Sequence, residues 1–179
     1  TVLVTFFVGV GSLGLYTYIS AVLERVQVDT IAGMWIWGIG GAVGAFGIGR
    51  VLDKVDSSRK LTTIIIVLLA ADFAMLLLFP SSRMVALVCL FAWGLLGWSS
   101  MAPQQHSMLS ANPDEGATAV AANASANYLG SAVGSAVGGL FLPSSTGILL
   151  GALFVVLLGI VCSIGARALS FPKPRDNEN

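Results

Sequence analysis

Six long apolar stretches, at about 1–23, 30–52, 61–80, 84–104, 117–142 and 146–168, leave this chain few ways to fold. Each can cross the roughly 30 Å hydrocarbon core of a bilayer as a helix, which takes about 20 residues at 1.5 Å apiece. The breaks between them are short and hold nearly all the charge: Glu24 to Asp29, Asp53 to Lys60, Pro80 to Arg83, Gln104 to Gly116, and Pro143 to Ser145. Of the 179 residues 56% are hydrophobic and 10% charged, and the mean hydropathy is +0.88. A soluble domain carries about 25% charged residues and keeps a polar exterior. Lipid must therefore be the solvent for most of this sequence. The expected fold is all-α, with a six-helix transmembrane domain over 1–168 and a polar tail over 169–179.

Nine basic and nine acidic side chains cancel, so no basic patch points to nucleic acid. Cys89 and Cys162 lie inside apolar runs without a C-x-x-C spacing, and they name neither a metal nor an oxidising compartment. No nucleophile–base pair, phosphate loop or metal-ligand spacing occurs, so no enzyme, no catalytic residue, no cofactor and no metal is expected. No charged n-region or cleavage site precedes the first apolar run, which reads as a span rather than a signal peptide. Because Thr1 is not an initiator methionine, the chain is expected to begin part-way through a longer polypeptide.

Alternating six spans across a membrane puts Arg50, Lys54, Arg59, Lys60, Arg167, Lys173 and Arg175 on one side, and Arg25 and Arg83 on the other. The basic side should be the cytoplasm, with the tail inside a plasma (inner) membrane. Trp35 and Trp37 then fall near the outer end of the second span, at the level of an aromatic belt.

The spans also sort into a weak repeat. The second and fifth are rich in glycine and alanine, the third and sixth are plain Leu/Ile/Val runs, and the first and fourth mix aromatics with hydroxyls. Three is an odd number, so a second copy enters the membrane from the opposite side, giving two inverted three-helix repeats. Glycine-rich spans allow close helix approach, uniformly apolar ones can face lipid, and mixed ones suit a cavity wall. Composition alone also allows six unrelated spans.

The break after the second span reads Gly49-Arg50-Val51-Leu52-Asp53-Lys54-Val55-Asp56-Ser57-Ser58-Arg59-Lys60. It resembles the Gly-x-x-x-Asp-Arg-x-x-Gly-Arg-Arg signature between the second and third helices of each half in major facilitator superfamily transporters. Lys54 stands where arginine is usual, and the spacing to Arg59 and Lys60 is looser. The run from Pro103-Gln104 through Asn123, Asn127-Tyr128 and Gly130 to Gly139 resembles the eleventh-helix region of that superfamily's arabinose-efflux-like and drug–proton antiporter group. Tyr16-Thr17-Tyr18-Ile19-Ser20 is similar to its seventh helix, with Ala21 where proline is common. The resemblance implies helices seven to twelve, the C-terminal half of such a fold. It implies alternating-access efflux of a sugar, nucleoside or drug-like solute coupled to protons, beside an N-terminal six-helix half. It also implies a gating loop at Asp53, Lys54, Arg59 and Lys60; a positive-inside stop is the plainer reading of those charges.

In the fifth span Asn123, Asn127, Ser131 and Ser135 recur every four residues as one polar stripe, beside a small-residue stripe of Ala126, Gly130, Gly134 and Gly138. Amides in hydrocarbon must meet protein or water, so one stripe is expected on a wet pathway and the other against a neighbouring helix. Tyr16, Tyr18, Trp93 and Tyr128 join Asn123 and Asn127 as the expected pathway residues; helix packing explains the aromatics equally well. Asp72 lies near the middle of the third span and is a candidate for proton coupling or for an interhelical hydrogen bond. His106 is expected in a cytoplasmic loop. A half-size membrane protein that self-assembles or acts as a scaffold, without transport of its own, is the alternative reading.

Overall fold

A computed structural model describes residues 1–111, 113–141 and 144–168. The expected tail lies outside these, as do Asn112, Leu142 and Pro143. All regular structure in the described residues is helical: α1 (Val2–Val8), a π-helical segment (Gly9–Leu13), α2 (Gly14–Tyr16), α3 (Ile19–Glu24), α4 (Thr30–Leu52), α5 (Ser58–Leu78), α6 (Arg83–Ser99), α7 (Met101–Ala111), α8 (Gly116–Gly138), a 3-10 turn (Gly139–Phe141) and α9 (Ser145–Ala168).

Helix starts sit in the polar breaks for a local reason: the first N–H groups of a helix need acceptors. Asp29 accepts from the Ala32 N–H at 2.9 Å, Ser57 from Lys60 at 3.3 Å and Ser82 from Val85 at 3.4 Å. Helix α3 closes with Gln27 at φ 53°, where glycine is the usual residue. The Val28 N–H reaches the Leu23 carbonyl and the Gln27 N–H that of Glu24, with Leu23 and Val28 both buried.

Among the described residues four helices are long and apolar enough to cross a membrane: Thr30–Leu52, Ser58–Leu78, Arg83–Ala111 and Ser145–Ala166. The other two expected spans differ. The first is not one helix: it turns π-helical at Gly9–Leu13, where Gly9, Gly11 and neighbouring Gly14 favour the helix least, and it breaks again at Thr17–Tyr18. Helix α8 has the length, at 23 residues, but its amides and hydroxyls lower its hydropathy. The fourth span runs on past 104 to Ala111, so His106 lies on a helix and not in a loop. Its hand-over from α6 to α7 falls at Ser100, because Pro103 has no N–H for the preceding turn. The Ser100 hydroxyl donates to the Gly97 carbonyl at 2.7 Å.

Two glycine seams hold the helices together. On α4, Gly40 and Gly44 lie under the carbonyl oxygens of Phe91 and Leu95 on α6, and Gly94 of α6 lies under that of Trp37. On α8, Gly130 and Gly134 lie under the carbonyl oxygens of Phe6 and Val10. Lipid gives helices no hydrophobic drive to associate, so this backbone approach supplies the dispersion contact that does. The third span departs from the expectation of a lipid-facing rod: Ile66, Leu69 and Phe73 of α5 are completely buried. It packs against α6 and α9, and Thr63 and Ser163 share a 2.7 Å hydroxyl bond. Helix α9 does keep an apolar outward face, Leu150, Phe154, Leu157, Val161 and Ile164. Of the two belt tryptophans, Trp35 is exposed, whereas Trp37 turns inward onto Tyr16.

Candidate functional site

The broken first segment, α4, the α6–α7 hand-over and α8 enclose a cavity of about 200 Å³. Its polar lining is Thr5, Ser12, Ser100, Gln104, Gln105, Asn123, Asn127 and Tyr128, and Trp37 and Trp98 supply aromatic surface. Among the described residues no Asp, Glu, Lys, Arg or His lines it.

One end is built on Thr5 of α1. Its hydroxyl lies between the side-chain amides of Gln104 on α7 and Asn123 on α8, the latter at 2.6 Å. All three residues are buried. A hydroxyl has one proton to give, so one of the two amides must turn its NH₂ toward the Thr5 oxygen. Gln104 follows Pro103 in the first turn of α7, just past the interruption at Ser100. Further along, the Trp93 indole donates to Ser12 at 2.8 Å, behind the cavity wall.

The aromatic residues form a continuous wall. Tyr16 stacks on Trp37 with centroids 4.2 Å apart, Trp37 meets Trp93 and Trp98 at 6.2 and 6.3 Å, and Phe73 meets Trp93 edge-on at 5.6 Å. The Trp37 Nε1 is buried without an acceptor in the described structure.

Of the six pathway residues expected from sequence, Asn123, Asn127 and Tyr128 line this cavity. Tyr16 and Trp93 do not: Trp93 is completely buried and serves as packing between Tyr16, Trp37 and Phe73. Tyr18 does not either; its hydroxyl donates to the Ser135 carbonyl, and Thr17 shares a 2.7 Å bond with the Ser135 hydroxyl. Thr5, Ser12, Trp37 and Gln104 line the same cavity and were not among the residues expected from sequence. The signal for Thr5 and Gln104 was a polar group inside or just beyond an apolar run, which must find a partner.

Asp72 lies outside the cavity. It is buried on α5, its carboxyl meets the Cys89 thiol of α6, and its Oδ2 has no hydrogen-bond partner in the described structure. Phe73 and Trp93 stand between α5 and Ser12 on the cavity wall.

The loop residues do not gather into one cluster. Asp53 caps the C-terminal end of α4 and is exposed, as are Lys54 and Lys60; these three make no ion pair among the described residues. The Arg59 Nε donates to Ser107 of α7 at 3.3 Å, tying the loop to the helix that carries Gln104. A carboxylate at a helix C-terminus opposes the helix dipole. Asp53→Asn should therefore leave membrane abundance unchanged, within about 0.5 kcal/mol of stability. A gate at this loop would nonetheless lower initial transport rate in the same vesicles, and equal loss of rate and abundance would assign Asp53 to folding.

The family model of the Major Facilitator Superfamily matches residues 1–135. The chain belongs to the Major Facilitator Superfamily. No solved structure matches it. As a member of the Major Facilitator Superfamily with several apolar helices, it is a multi-pass membrane protein of a transporter family.

Proposed function

We propose that this chain is the C-terminal six-helix half of a proton-coupled efflux permease of the arabinose-efflux-like or drug–proton antiporter kind. It forms one wall of a solute pathway worked by alternating access. The observation that carries the reading is the uncharged cavity of about 200 Å³, walled by amides, hydroxyls and indoles from both ends of the sequence. Such a lining favours a neutral ring-bearing solute, a sugar, nucleoside or drug-like molecule: amides and hydroxyls exchange hydrogen bonds with it while indoles cover its flat faces.

The two glycine seams support an inverted repeat. In each, two glycines four residues apart on a glycine-rich helix meet two carbonyls four residues apart on a mixed one. Exchanging the first three spans for the last three turns one seam into the other. An N-terminal six-helix half would close the pathway from the far side, and the C-terminus would be cytoplasmic in the inner membrane. Coupling at Asp72 would act across the Phe73–Trp93–Ser12 chain, without direct contact with solute.

The test is flux in proteoliposomes of the complete protein, with an imposed pH gradient and labelled hexose, nucleoside and amphiphilic dye. One class should move against its gradient while protons move the other way. Asp72→Asn should make that flux independent of the pH gradient; an unchanged pH profile would remove Asp72 as the coupling site. Solute movement by the six-helix chain alone would overturn the half-transporter reading.

A further inference from the structure

A second hollow, of about 260 Å³, lies on the opposite side of the first segment from the solute cavity, in the cleft between α8 and α9. These helices are consecutive but touch little along their length, and the broken first segment fills the space behind them. Its floor is Gly14, Gly134 and Leu15, and its rims are Val137 and Phe141 on one side and Phe154 on the other. The Tyr18 hydroxyl is the one side-chain polar group in the lining, and the Ser135 carbonyl already occupies it.

We infer that this cleft is a binding site for one acyl chain of a membrane lipid. Three observations argue for that occupant. The cleft is continuous through Phe154 with the exposed apolar face of α9, whose outward residues Leu150, Leu157, Val161 and Ile164 carry no polar group for a partner or for water. Among the described residues its lining offers a solute no free side-chain donor, unlike the cavity behind it. Its direction also fits: the lining starts at Phe141, in the 3-10 turn that follows α8, and follows α9 from Ile148 to Val155. That is about 10 Å of helix, leading from the membrane surface into hydrocarbon. An apolar hollow does not hold water, and one open to the bilayer fills with chain.

The site touches the transport machinery. Its floor is the first segment where that segment breaks, and Tyr18 and Thr17 hold the break to Ser135. A seated chain packs against the joint that must flex if the first segment moves against α8.

Gly151 gives a clean test, because a side-chain carbon added there meets nothing within 4 Å. Gly151→Leu should put side-chain volume into the cleft from a Cβ that starts in open space, and Gly151→Val should do so with a smaller side chain should leucine lower the yield. The complete protein is placed in nanodiscs of phosphatidylethanolamine bearing a terminal diazirine on one acyl chain, irradiated, and mapped by peptide mass spectrometry. Adducts should concentrate on residues 134–141 and 148–155 and fall about tenfold there in the variant, with those at Leu157 and Val161 unchanged. Equal labelling of the cleft in both proteins would show that lipid touches only its outer rim and would overturn the site. So would labelling of the native cleft no stronger than that of the outer face of α9. Suppression of the cleft labelling by a transported solute added before irradiation would also overturn it, making the cleft a route for solute.

Discussion

Gly40→Ala is expected to remove most of the folded protein from the membrane, although alanine is the better helix former by about 1 kcal/mol. The added methyl falls on the Phe91 carbonyl oxygen, with the Phe91 carbonyl carbon at 3.0 Å and the Leu95 nitrogen at 3.2 Å. These are backbone atoms of a packed helix, so relief means separating α4 from α6 along the whole seam. Overpacking a core costs about 1–3 kcal/mol when side chains can move aside, and more when they cannot. A domain's total stability is only about 5–15 kcal/mol. Gly94→Ala should fail in the same way against the Trp37 carbonyl. The internal control is Gly38→Ala on the same helix, where nothing lies within 4 Å and the propensity gain should survive. Thermal melting in detergent, followed by fluorescence-detected size exclusion, reads all three. Equal melting of Gly40→Ala and Gly38→Ala would mean that the α4–α6 seam does not hold the fold.

Asn123→Leu is expected to lower kcat/KM for the transported solute by about 100-fold, or about 2.7 kcal/mol. Leucine keeps the volume but removes both the amide exposed to the cavity and the bond to Thr5. Thr5→Val separates these contributions. It is nearly isosteric and deletes only the hydroxyl between Gln104 and Asn123, so it should cost about 1 kcal/mol of stability and far less transport. A site that reads a solute's hydroxyl or amide discriminates strongly when its own polar group is lost, whereas interhelical glue alone does not. If Asn123→Leu and Thr5→Val lost transport only in proportion to abundance, the amides would be helix glue and the cavity would lie elsewhere.

The sequence by itself determined the solvent, the helical content and the membership of the superfamily. Apolar runs of about 20 residues with charge confined to the breaks admit no soluble alternative. The caps at Asp29, Ser57 and Ser82 are local, each needing only a side chain and an N–H three residues on. The stripe bearing Asn123 and Asn127 was legible because helical period alone places those residues on one side. Tertiary structure decided what that side faces. Tyr16, Tyr18 and Trp93 look as eligible as Tyr128 in sequence, and only the packing turns Trp93 inward and hands the Tyr18 hydroxyl to Ser135. Thr5 and Gln104 lie 99 residues apart and meet only through the packing of α1 against α7 and α8. Helical period orders residues around one axis. Which neighbour each side meets depends on how closely two backbones can approach, and here glycines facing carbonyls set that distance.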